Sequence, residues 1–353
     1  MATTNAKGQT PQEAYNARKI KMALSGMKIA FLLPISAIIQ NIFNSSVTDT
    51  VSRQLSDKVI VSIIISIVLL GIGDVFAGIF TLIYNMAKGK GLKEYKRTVS
   101  MKISWMMLLA AAFAGPLATG CWMAATPFCG LTTVAIITSL GPILTAIFGR
   151  FFLHEKLNTR IYLGIVIVIA GVIVAGYSGA SGAGNNFILG VILAFMAPIG
   201  FAAEGQFSTF VGDIIDPNVG CGFFRCFGSG IIGLVCMAIL AAATGNIAAY
   251  GLIFKIVFTK PVTLLFVAAM GLLGAVNYNS AYLAFNRTGP SRTLAIDSSR
   301  PVWSIIFGYL FAFLGVQDYS VTALAIAGAV IVVVGLFLVI GKPSELVNLR
   351  NVE

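Results

Sequence analysis

Charge is scarce in this chain. Only 10% of its 353 residues are Asp, Glu, Lys or Arg, while 58% are hydrophobic. A water-soluble protein of this length must cover its surface with polar groups, and so few charges exclude that solution. Histidine is nearly missing: His154 stands alone beside Glu155, and a metal site needs more ligands than that. The five cysteines, Cys121, Cys129, Cys221, Cys226 and Cys236, lie in or beside apolar stretches with no paired metal spacing. They read as small packing side chains. There is no phosphate-binding Gly-Lys loop, no catalytic triad and no haem pair, so neither an ATP-driven pump nor a cofactor enzyme is expected. The net charge of +11 does not point to nucleic acid, because the basic residues sit in loops flanking apolar runs. The first 28 residues are polar and basic, which predicts no cleavable signal peptide.

What the chain has is long apolar runs. A bilayer crossing needs about 20 apolar residues, and only helices or closed barrels satisfy their own backbone in lipid. The runs are continuous rather than alternating, which selects helices; Val59 to Ala87 carries a single charge, Asp74. The expected architecture is all-α and integral to the membrane, with ten transmembrane helices at about 27–48, 59–87, 102–124, 128–152, 160–179, 187–211, 219–244, 262–285, 290–314 and 319–341. Lys and Arg set the orientation. The N-terminal segment, the second, fourth and eighth loops and the tail carry most of them, including Lys88, Lys90, Lys93, Lys96, Arg97 and Lys102. The opposite side has Arg53, Lys58, Lys255 and Lys260. The asymmetry predicts a plasma-membrane protein, of the bacterial inner-membrane type, with both termini in the cytoplasm.

An internal repeat runs through these crossings. Phe31–Asp49 aligns with Phe195–Asp213, matching Phe31 with Phe195, Pro34 with Pro198, Phe43 with Phe207 and Asp49 with Asp213. Gly130–Phe152 aligns with Gly289–Phe311, matching Gly130/Gly289, Ser139/Ser298, Pro142/Pro301 and Gly149/Gly308. Gly164/Gly328 and Gly171/Gly335 follow. Matched Pro and Gly are more telling than matched Leu, because lipid rewards any apolar residue but not a kink. The reading is a cytoplasmic segment 1–26, a first five-helix repeat 27–180, a second 187–341 and a cytoplasmic tail 342–353. An odd number of crossings per repeat inverts the second half, which places a solute site near the midplane between the halves.

The stretch LHEKLNTRIYLGIVIVIAGVIVAG (Leu153–Gly176) resembles the end of an EamA-type domain, in which a Glu closes the fourth helix and glycines pace the fifth. Pro142 in SLGPILTAIFG and Pro301 in SSRPVWSIIFG resemble the proline of that family's fourth and ninth helices, and Arg225 resembles the arginine that often opens its seventh. The resemblance covers both halves. It implies the drug/metabolite transporter superfamily: ten helices, inverted repeats and secondary transport of metabolites or drugs. The second half departs by lacking a counterpart of Glu155, with Asp318 nearby but out of register. Arg300 stands where many members have a carboxylate.

Charges in hydrocarbon are costly, so each needs a reason. Arg300 and Asp297 are three residues apart and share a helix face. Either Arg300 binds an anionic group of the solute with its planar fork, or the pair neutralises itself. Glu204, where the first repeat has Gln40, is a proton carrier or a static counter-ion for Arg225 or Arg300; Asp74 has the same two readings. Arg225, Arg292 and Glu155 read as structural or orienting charge. Gln40, Asn44, Thr138, Asn277 and Tyr278 complete a pocket or serve as interhelical glue, as do Ser139 and Asn279. Trp122, Tyr282 and Trp303 line a cavity or belong to packing. The expected function is a secondary transporter, exporting or exchanging a small polar, amino-acid-like metabolite, with possible proton coupling and no cofactor. The alternatives are an organic-anion or phosphate-ester exchanger, cationic drug efflux, or a membrane sensor or intramembrane enzyme. The last would show clustered nucleophile and metal-ligand types, and none is seen.

Overall fold

The computed structural model describes residues 10–55, 59–152, 158–179, 186–316 and 318–340, and every regular element among them is a helix. Seven stretches are long and apolar enough to cross a membrane: Gln12–Ser52, Val59–Ala87, Lys102–Cys129, Leu131–Phe152, Phe187–Gly212, Pro217–Ala243 and Pro261–Thr288. Thr159–Gly171, Ile247–Thr259 and Ala323–Leu338 are shorter apolar pieces. The chain is a multi-pass membrane protein. Its burial pattern fits lipid, since Phe151, Ile188, Phe313 and Phe337 are exposed while Asp74, Arg225 and Arg300 are buried.

The first rod is α1 (Pro11–Ala30) followed by α2 (Leu32–Ser52). A capping box starts it: Glu13 N donates to Thr10 Oγ1 at 3.3 Å and Thr10 N to Glu13 Oε2 at 2.8 Å. The helical stretch is 41 residues long. That is about 60 Å, roughly twice a hydrocarbon core, so α1 projects from one face. After α3 (Val59–Ala87) comes the short α4 (Leu92–Ser100), then a broken rod of α5 (Met106–Ala112), a π-helical stretch Phe113–Gly120 around Pro116, and α6 (Cys121–Cys129).

The region read as the fourth crossing is split into α7 (Leu131–Thr138) and α8 (Gly141–Phe152). The region read as the ninth is split into α15 (Pro290–Asp297) and α16 (Arg300–Phe313). Each break falls within four residues before a proline, Pro142 or Pro301, which has no N–H to bond the carbonyl of residue i−4 (Thr138 or Asp297) and whose ring clashes with it. The breaks touch each other: Ser139 Oγ donates to Ser298 O at 3.0 Å, and Ser298 Oγ to Ser139 O at 3.2 Å. Gly130 and Gly289, which open these regions, share a left-handed backbone with φ 81 and 84.

α9 (Thr159–Gly179) packs along α17 (Ala323–Ile340). A Cβ at Gly171 would lie 2.7 Å from Gly328 O, and one at Gly335 would lie 2.8 Å from Gly164 O. The remaining rods are α10 (Phe187–Gly212), the short α11 (Pro217–Gly220), a π-helical stretch Cys221–Gly228, α12 (Ser229–Ala243) and α14 (Pro261–Thr288).

Among the described residues, seven stretches of spanning length stand where ten crossings were expected, the fourth and ninth being split, and a further element departs from the sequence reading. The loop expected between the seventh and eighth crossings is a helix, α13 (Ile247–Thr259). It is too short to span and carries Lys255, yet it buries Ile253, Ile256 and Val257 against the core.

Candidate functional site

The buried charges form two clusters. The first centres on Arg225, whose side chain is fully buried. Its Nε donates to Glu204 Oε1 at 2.9 Å, its Nη1 to Asp74 Oδ2 at 3.2 Å and its Nη2 to Thr119 Oγ1 at 3.4 Å. The guanidinium lies 3.7 Å from the Tyr278 ring centre. Tyr278 donates to Asp74 Oδ1 at 2.9 Å, Ser229 Oγ donates to Asp74 Oδ2, and Gln40 Nε2 reaches the Tyr278 hydroxyl at 3.5 Å. Arg225 and Thr119 both lie on π-helical stretches, whose wider turns redirect side chains. Two carboxylates thus share one guanidinium. Removing Arg225 would leave both uncompensated in a low dielectric.

The second cluster centres on Arg300. Its Nε donates to Asp297 Oδ1 at 2.9 Å and its Nη2 lies 2.6 Å from Asp297 Oδ2, a two-pronged pair. The guanidinium is held between Trp122 and Phe201, at 4.8 and 4.9 Å from the ring centres. Trp122 lies on α6, Phe201 on α10 and Arg300 at the start of α16, so the clamp joins elements from distant parts of the chain. Arg300 Nη1 is buried without a hydrogen-bond partner among the described residues; so are Trp122 Nε1 and both amide atoms of Asn44.

A cavity of about 740 Å³ lies apart from both clusters. It is lined by the end of α2 (Ser45, Asp49, Arg53), by Thr126, Pro127 and the run from Cys129 to Thr133, and by residues between α16 and α17. The Thr132 and Tyr319 hydroxyls meet across it at 2.8 Å. Thr126 stands on the cavity wall and accepts from Asn41 Nδ2 at 2.8 Å. Trp122 lies one helical turn deeper, its carbonyl accepting from Thr126 Oγ1 at 3.2 Å. At the other end of α3, Lys90 pairs with Asp216 at 2.6 Å, Asn85 Nδ2 donates to Asn218 O at 3.1 Å, and Asn286 Nδ2 donates to Gly212 O at 3.1 Å.

The other candidate residues have varied surroundings. Asn277 Nδ2 donates to Leu33 O at 2.7 Å and Ser36 Oγ at 3.1 Å, which ties α14 to α2. Thr138 donates to Val134 O within its own helix. Arg292 is buried at 6% exposure. Glu155, with His154, lies outside the described residues. Thr119, Ser229 and Phe201 were not singled out from sequence. Thr119 had one signal: it is the repeat counterpart of Tyr278 at the spacing that pairs Ser139 with Ser298.

No curated protein matches the chain. Among solved structures 28 chains match. One of them, a crystal structure of a protein 15% identical, superposes with a TM-score of 0.57 over 88% of this chain and 96% of that one. At that identity it shows a common fold. The model of the EamA-like transporter family matches residues 27–177, the region from the end of α1 into α9 that carries Pro142 and the glycine-paced helix. Over that region the chain is similar to the EamA-like transporter family, which is consistent with an EamA-type member of the drug/metabolite transporter superfamily.

Proposed function

We propose that this protein is a secondary active transporter of a small zwitterionic, amino-acid-like solute, exporting or exchanging it by alternating access between two inverted five-helix halves. One observation carries the solute reading. Arg300 is fixed between two aromatic rings with its Nη1 buried and lacking an acceptor among the described residues. A buried donor left without a partner costs about 1–3 kcal/mol, which a bound carboxylate would relieve. Charge counting selects the solute class. Arg300 and Asp297 together are neutral, so a zwitterion's carboxylate and ammonium find one partner each. A phosphate dianion would bring two negative charges to a site with no surplus positive charge.

The reciprocal bonds of Ser139 and Ser298, and the paired close approaches at Gly171/Gly328 and Gly335/Gly164, support an approximate two-fold relation between halves. Closure at Lys90–Asp216 with an open cavity at the opposite end is what one extreme of an alternating cycle requires. By the distribution of Lys and Arg, the cavity faces outward and both termini face the cytoplasm.

Arg225 with Asp74 and Glu204 carries one net negative charge when both acids are ionised. A proton on Glu204 neutralises it, and that is the coupling step we assign. Asp74 accepts from Tyr278, Ser229 and Arg225, three donors that hold its charge, whereas Glu204 accepts from Arg225.

Proteoliposomes containing Arg300→Gln are expected to lose solute uptake by about two orders of magnitude, as when one partner of a buried charge pair is cut away. The variant should keep its size-exclusion profile. Uptake at the unaltered rate would remove Arg300 from the pocket.

A further inference from the structure

We infer that the basic end of the protein carries a binding site for one anionic phospholipid, with an acyl chain in a groove between α5 and α12 and the phosphate on α4. The groove has a volume of about 600 Å³, and the accessible area of its wall is wholly apolar. That size lies within the range of ligand pockets, about 300–1,000 Å³. Leu92 and Tyr95 of α4 form its rim, Trp105 and Leu108 one wall, and Phe227 and Ile231 the other. From Phe224 to Ile231 the wall descends about 10 Å, most of one leaflet's roughly 15 Å of hydrocarbon.

The rim is built firmly. Tyr95 is buried and accepts from Asn85 Nδ2 at 2.8 Å, and Trp105 Nε1 donates to Val99 O at 3.0 Å while its ring meets Phe224 edge-on at 5.5 Å.

Charge identifies the occupant. On α4 the positions Leu92, Tyr95 and Val99 fall on one side, and Lys96, Lys93 and Arg97 occupy the adjoining arc, all three exposed. Lys88 and Lys102 flank the helix, and Glu94 is its one acidic residue. A short amphipathic helix with cations bordering an apolar stripe lies in the headgroup plane and attracts anionic lipid. A neutral lipid would fill the groove but leave the cations without counter-charge. The site lies away from Arg300 and is independent of the solute assignment.

The test is native mass spectrometry of the delipidated, detergent-purified protein with dioleoylphosphatidylglycerol, with dioleoylphosphatidylcholine and with glycerol phosphate. One phosphatidylglycerol should bind, retained about tenfold or more better than phosphatidylcholine, and glycerol phosphate should not compete. Lys93→Gln/Lys96→Gln/Arg97→Gln should erase the preference, and Ile231→Trp, which fills the groove, should erase the adduct. If a variant does not fold, salt at about 1 M, where screening acts within about 3 Å, should weaken the wild-type adduct. Equal retention of the two lipids, displacement by glycerol phosphate, salt-insensitive binding, or a protein dimer that Ile231→Trp breaks without any lipid adduct would each overturn the proposal.

Discussion

Arg225 and Arg300 are both buried arginines paired with carboxylates, yet they differ in what is left over. Arg225 donates from all three of its nitrogens, to Glu204, Asp74 and Thr119. Arg300 spends two on Asp297 and keeps Nη1. Loss of the first therefore strands two buried carboxylates and loss of the second strands one, Asp297, so Arg225 is the more costly to remove. Arg225→Gln is expected to lower the melting temperature strongly, by the roughly 3–5 kcal/mol of a buried pair broken on one side. Thermal unfolding in detergent, compared with Arg300→Gln, checks this; equal stability of the two variants would dissolve the distinction. Glu204→Gln removes the proposed proton carrier while keeping a neutral acceptor for Arg225. It should abolish solute accumulation driven by a pH gradient but leave counterflow exchange intact. Accumulation that still follows the pH gradient in this variant would exclude Glu204.

At the scale of elements, helix contacts are set by where a backbone can approach. α9 and α17 close on each other through Gly171 and Gly335, where a Cβ would meet a carbonyl of the other helix at 2.7 and 2.8 Å. Gly171→Val forces that pair apart and should destabilise by about 1–3 kcal/mol, the usual range for overpacking. Gly251, inside α13, has nothing within 4 Å of a would-be Cβ. Gly251→Ala should be neutral or stabilising by about 0.5–1 kcal/mol, because alanine loses less backbone entropy in a helix. The two melting temperatures, measured side by side, separate close packing from intrinsic propensity. α13 also shows why a hydropathy reading passes over some helices. A 13-residue helix with a lysine has too little apolar length to register as a crossing, and packing against the core decides its conformation.

At the scale of the molecule, the cavity and the Lys90–Asp216 closure lie at opposite ends of the bundle. In a background without the five native cysteines, Ser320→Cys and Asp216→Cys should label from opposite sides of the membrane, Ser320→Cys from outside. Labelling of both from one side would break the topology on which alternating access rests. The Lys90–Asp216 pair itself is about one-third exposed on each side chain. Exposed pairs contribute about 0–1 kcal/mol, so Asp216→Ala should shift the balance of open and closed forms only modestly, read as a several-fold change in labelling rate at Ser320→Cys.

Sequence alone determined the solvent this protein lives in, where most of its long helices run and which residues bear charge inside them. Hydropathy is a local sum over about 20 residues, and no partner is needed to evaluate it. Pro142 and Pro301 account for the breaks at Ser139 and Ser298, although the sequence reading ran both crossings through unbroken. Tertiary structure decided the pairings. Asp74 and Arg225 are 151 positions apart, and Glu204 serves Arg225 instead of Arg300. Phe201 gave no sign that it faces a guanidinium. Those choices depend on how each helix is rotated about its own axis. Rotation is fixed by glycine contacts, π-helical turns and proline breaks acting together across the bundle, and that information resides in the assembled chain.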